Sequence, residues 1–86
     1  MAKNAAMPLF HLHHRHEPTE CAAAFAAWRG FESPLRHRSA AATCLTGDHR
    51  LFWRVEAGNR DEAAAMLPTF VATRTSVIEV REVEIP

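Results

Sequence analysis

Residues 10–18 read Phe-His-Leu-His-His-Arg-His-Glu-Pro and place four of the chain's six histidines within six positions. Imidazole is the commonest transition-metal ligand, and it exchanges protons near neutral pH. On an extended backbone, side chains alternate between two faces. Phe10, Leu12, His14 and His16 then share one face, and Leu9, His11, His13 and Arg15 the other. The spacing His11-x-His13 sets two imidazoles side by side. Glu79, on a strand expected next to them, would complete a set of two histidines and one carboxylate with open positions, which suits zinc, nickel, copper or iron. Arg15, Arg54 and Arg81 fall on the same face in this reading and would oppose a cation.

Those arginines suggest a second chemistry. Guanidinium forks hold a carboxylate or phenolate, so His11, His13, Arg15, Arg54 and Arg81 form a candidate anion-binding set. His14 and His16, at the strand's end, together with Arg54 are then the candidate catalytic groups of a small cofactor-independent isomerase, cyclase or oxygenase. The blander alternative pairs the histidines with Glu56, Glu79 or a partner chain inside an interface, with no chemistry at all. No nucleophile–base pair, glycine-rich phosphate loop or paired-carboxylate motif selects a particular reaction.

Composition narrows the classes further. Ten basic and ten acidic residues cancel, so no electrostatic footprint for nucleic acid or an anionic membrane is visible. No apolar run is long enough to span a membrane, and the N-terminal ten residues lack the apolar core of a secretory signal, so the chain reads as cytoplasmic. Cys21 and Cys44 have no zinc or redox spacing and read as free, buried thiols. Eighty-six residues, 48% of them hydrophobic, suffice for one modest core, a size at which oligomerisation often adds burial.

The elements that must position the histidines follow from period and punctuation. Residues 1–8 show no pattern and read as a frayed tail before a single domain over 9–86. A strand over 9–16 is closed by Glu17-Pro18. Thr19 is a candidate N-cap for an alanine-rich helix whose buried stripe is Cys21, Phe25 and Trp28, with Gly30 as its C-cap. Residues 31–38, carrying Arg36-His37-Arg38, read as a loop with a basic tip, either solvated or a lid. Strands over 40–46 and 50–57 flank Gly47-Asp48-His49 as a hairpin. Asn59 caps a second helix with Ala63, Met66, Leu67, Phe70 and Val71 inward, kinked or restarted at Pro68. A last strand over 76–85 is expected to put Ile78 and Val80 inward, with a bulge near Arg81 or Glu82. Trp28 and Trp53 both point into the core.

The order β-α-β-β-α-β predicts an α+β, ferredoxin-like fold, a four-stranded antiparallel sheet with two helices on one face and the first strand central. In that order, and locally in Phe52-Trp53-Arg54-Val55-Glu56, the 61–73 helix and Val77-Ile78-Glu79-Val80-Arg81-Glu82-Val83, the chain resembles the dimeric α+β barrel superfamily. That superfamily includes small monooxygenases and muconolactone-isomerase-like proteins. The resemblance implies a homodimer with ligands or metals inside the barrel or between sheet and helices. It carries no universal catalytic residue onto this chain. The expected function is a homodimeric small-ligand or transition-metal-binding protein using His11, His13 and Glu79. The alternatives are the small enzyme acting on an anionic molecule and a purely structural or interaction role.

Overall fold

A computed structural model of the chain describes residues 7–86. It is an α+β fold in which four antiparallel strands carry a few short helices. The strands are β1 (Leu9–Arg15), β2 (Ala41–Ala42), β3 (Arg50–Glu56) and β4 (Thr75–Val80), in the order β2-β3-β1-β4. The helices are α1 (Cys21–Ala26), α2 (Arg60–Ala64) and α3 (Thr69–Ala72), with 3₁₀ turns at Pro18–Glu20 and Cys44–Thr46. The histidine strand is therefore central, between β3 and β4. The frayed tail expected over 1–8 lies mostly outside the described residues, and the main chain is already paired at Pro8, whose carbonyl accepts the Ala57 N–H at 3.1 Å.

Register decides which side chains share a face. Phe10 stands across from Val55, Leu12 from Trp53 and His14 from Leu51 on β3. Phe10 and Leu12 are buried in one cluster with Val55, Ala57, Ala63, Leu67 and Val71, flanked by Trp28, Trp53, Met66 and Val77. Burial of this apolar area is what stabilises so small a chain. His14, third in the series, is buried on the same core face.

On β4 the expected faces are exchanged. Leu12 pairs with Val77, His11 with Ile78 and Phe10 with Glu79, so Val77 lies inward and Ile78 is 47% exposed on the open face. Val77 and Ile78 are both β-branched and apolar, so alternation alone cannot choose between them. A one-residue slip reverses every side chain, and the anchor is the Arg15 N–H to Arg74 carbonyl bond at 3.0 Å. β4 ends at Val80, and Val83 and Ile85 beyond it are exposed, so no bulge continues the strand.

Three further expectations change in detail. The first arm of the hairpin shrinks to Ala41–Ala42, because Thr43 to Gly47 close into a 3₁₀ turn ended by Gly47 at φ 89°. Ala24 becomes the buried residue of α1, and Phe25 moves to the rim, half exposed. The entry to α1 is organised at Glu17 rather than Thr19: the Glu20 carboxylate accepts the Glu17 N–H at 3.0 Å. Gly30 at φ 74° supplies the left-handed residue that ends the following turn. Asn59 caps α2 through its side-chain oxygen, which accepts the Glu62 N–H at 2.8 Å. Pro68 separates α2 from α3 and stands as the N-cap of the latter.

Candidate metal centre

The end of β1 and the start of β3 meet where the sheet opens toward α1. Arg15 and Arg50 are the last β1–β3 pair, and the next residue outward on each strand is a histidine. The His16 N–H donates to the His49 carbonyl at 3.0 Å, so the two rings stand together, with centroids 5.4 Å apart. The Glu17-Pro18 turn then brings Cys21, the first residue of α1, onto the same spot. One ligand atom each from His16, Cys21 and His49 lies within 4.8 Å of the others. Among the described residues this is the group of three whose donor atoms converge in the manner of a metal site.

Hydrogen bonds on the inner side fix how His16 presents itself. His14 Nδ1 lies 3.3 Å from the Val71 carbonyl and 3.2 Å from the Thr75 hydroxyl. That hydroxyl donates its own proton to the Val71 carbonyl at 2.7 Å, so toward His14 it offers lone pairs. His14 Nδ1 therefore carries the proton and donates it. Burial, then the nearby His16, holds the His14 pKa below its ordinary 6.5, which keeps the ring neutral and leaves Nε2 as an acceptor. That atom is 2.9 Å from His16 Nδ1, which must then donate.

The consequence falls on the far nitrogen of His16. Burial, then the neighbouring His49, lowers the His16 pKa as well. With the proton of the neutral ring committed to Nδ1, Nε2 holds a bare lone pair. That atom is buried and has no hydrogen-bond partner, and His49 Nδ1 is in the same condition. Leaving a buried polar atom unpaired costs about 1–3 kcal/mol, so a ligand that met both atoms would relieve that cost. An imidazole whose second nitrogen is fixed by a hydrogen bond is also the usual form of a metal-ligating histidine.

The surrounding charge is nearly balanced. Arg74 donates to the Glu20 carboxylate from Nε at 3.1 Å and from Nη2 at 2.8 Å, and its guanidinium lies 3.7 Å over the Phe70 ring. The Arg74 hydrogen bond is the main reason the Glu20 carboxyl sits below the usual carboxylate range. Arg74 opposes positive charge at His14 and His16 while Glu20 favours it. Phe25 closes one side of the cluster, edge-on to the His16 ring at 6.3 Å.

The other expected site residues are dispersed. His11 and His13 do share the open face, and Phe52 lies against both, stacked on His13 at 5.0 Å. Glu79 stands across from Phe10, so it belongs to the opposite face and does not join His11 and His13. Arg54 is exposed and paired with Glu82 at 3.1 Å. Arg15 is exposed, and Arg81 is exposed beyond the end of β4. Of the residues singled out, the structure brings His14 and His16 together and adds Cys21 and His49. The sequence carried a usable signal for the addition. Once β3 is placed antiparallel beside β1, the residue before β3 must meet the residue after β1, and those residues are His49 and His16.

Comparison with family models, with curated proteins and with solved structures finds no match. No helix among the described residues is long and apolar enough to cross a membrane.

Proposed function

We propose that the protein binds a transition metal ion through His16, Cys21 and His49, with His14 holding His16 in its ligating tautomer. The observation that carries this reading is the buried, unpartnered Nε2 of His16 beside a thiol and a second imidazole. Two nitrogens and one sulfur suit zinc or copper better than magnesium or calcium, which take oxygen. Three protein ligands leave a fourth position of a tetrahedral ion open to water or a small ligand. Such a centre supports either a bound, polarised water or exchange of the ion with another carrier. Binding would expel the Cys21 thiol proton, so affinity rises with pH.

Elemental analysis and calorimetric titration of untagged, chelator-treated protein test the reading. One zinc per chain is expected, with proton release, and Cys21→Ser is expected to abolish stoichiometric uptake. Uptake unchanged in Cys21→Ser and lost in a His11→Ala/His13→Ala variant would return the ion to the open face and overturn the assignment.

We also propose that the chain is a ferredoxin-like domain of the dimeric α+β barrel type, with a second copy on the open sheet face. The strand order β2-β3-β1-β4 supports it, as does the open face itself, which carries a half-exposed Ile78 across from His11, and Phe52 across from His13, whose buried Nε2 has no partner. Light scattering at the mass of two chains, reduced to one by Ile78→Glu, is the expected result. A monomeric wild type would discard it.

A further inference from the structure

A second feature lies beyond α1, apart from the histidine–cysteine cluster. It is a cavity of about 460 Å³ walled by Trp28, Leu35, Leu51 and Trp53. Three guanidinium-bearing residues, Arg29, Arg36 and Arg38, line it as well. None of His16, Cys21 and His49 lines it, and Phe25 is the edge it shares with the cluster.

Its charge is one-sided. The chain as a whole has as many acidic as basic residues, yet no aspartate or glutamate lines this cavity. The ion pairs among the described residues engage Arg50, Arg54 and Arg74, and leave Arg29, Arg36 and Arg38 without a carboxylate. The loop that carries two of the three is anchored. Ser33 donates its hydroxyl to the Met66 carbonyl at 2.7 Å and accepts the Leu35 N–H at 3.1 Å. Between the two arginines, His37 adopts φ 65°, the one non-glycine residue with positive φ among those described. A side-chain-bearing residue in that region is strained. Here it turns the chain so that its neighbours on both sides line the same space.

We infer that this cavity binds a small amphipathic carboxylate, its hydrocarbon tail along the wall formed by the Trp28–Trp53 pair and Leu35 and its carboxylate against Arg29, Arg36 and Arg38. The volume falls in the range of small-molecule sites, about 300–1,000 Å³. Apolar walls supply the area term, and guanidinium groups match a carboxylate in both charge and shape. Aromatic faces beside the tail add contact without much loss of side-chain entropy. This anion site differs from the Arg15, Arg54 and Arg81 set suggested by the sequence, and it stands whether or not the metal centre does.

The two tryptophans of the chain both wall the cavity, so their fluorescence reports its occupancy. Octanoate is the probe, with 1-octanol and octylammonium as the neutral and cationic counterparts, each titrated with and without chelator. A saturable change is expected, with octanoate binding about tenfold tighter than 1-octanol, equivalent to about 1.4 kcal/mol, and octylammonium weakest. An Arg36→Gln/Arg38→Gln variant should lose that preference and keep its affinity for 1-octanol. An Arg36→Glu/Arg38→Glu variant should favour octylammonium, a gain that misfolding cannot produce. No saturable change with octanoate into the millimolar range, or equal affinity for octanoate and 1-octanol, would overturn the inference. So would a carboxylate preference that survives in either folded variant.

Discussion

His14 and His16, on one side of β1 and its first residue beyond, and His11 and His13 on the other side, are the same residue type at the same spacing, yet their surroundings differ in kind. The first pair is buried and joined nitrogen to nitrogen, with a carbonyl and a hydroxyl beyond His14 that dictate where each proton sits. The second pair is half-buried on the open sheet face, against Phe52, with Arg54 and Ile78 as cross-strand neighbours of His11. Burial alone does not make a ligand. What separates the pairs is a chain of hydrogen bonds that fixes the proton of the His16 ring, and the grouping of that ring with Cys21 and His49. Histidine chemistry is set by what the other nitrogen is doing.

The two pairs should differ most in their effect on metal affinity. Cys21→Ser should lower zinc affinity by well over 100-fold, beyond the roughly 10–100-fold expected when a residue that merely orients a ligand is lost. His14→Ala should fall inside that smaller range and, measured by urea unfolding, should also destabilise the metal-free protein by about 2–4 kcal/mol, because it opens a cavity and strands His16 Nδ1. The matched His11→Ala change should cost less than about 1 kcal/mol and leave zinc affinity alone. Equal effects on the two sides would erase the distinction.

Acid should separate the two pairs as well. Folding lowers the pKa of His14 and His16 below 6.5, by burial first and then by each ring's histidine neighbour, with Arg74 pressing the same way and Glu20 against. The unfolded chain therefore binds more protons than the folded one as pH falls through 6.5. Stability of the metal-free protein should be level above that value and decline below it. The decline should flatten in a His14→Leu/His16→Leu variant, as read by urea midpoints across the range. The smallest effect is expected at the rim: Glu20→Gln removes one partner of a solvent-screened ion pair with Arg74 and should shift the urea midpoint least of these variants.

Much of this arrangement was legible in the chain. The strand carrying the histidines, the Asn59 cap and the break at Pro68 all follow from period and punctuation, and the central place of β1 follows from the usual strand order of the ferredoxin-like arrangement. The face of β4 was not legible, because Val77 and Ile78 are equivalent to any hydrophobic pattern and only pairing with β1 tells them apart. Glu79 went to the wrong face by the same one-residue ambiguity. Cys21 and His49 were hidden for a different reason. They lie 28 residues apart, in a helix start and a turn, and become neighbours only when β1 and β3 are laid edge to edge. Their signal was topological, and it needed the sheet order before the residues could be seen as a set.

The most direct measurement is the absorption spectrum of the cobalt-substituted protein, taken for the wild type and for the His11→Ala/His13→Ala and His16→Ala variants. Tetrahedral cobalt bound through Cys21 gives intense visible bands and a thiolate-to-cobalt charge-transfer band in the near ultraviolet. The account predicts both in the wild type, unchanged when His11 and His13 are removed together, and the bands lost or shifted to a weaker species in His16→Ala. A wild-type spectrum with no thiolate band, or one abolished by loss of His11 and His13, would contradict it.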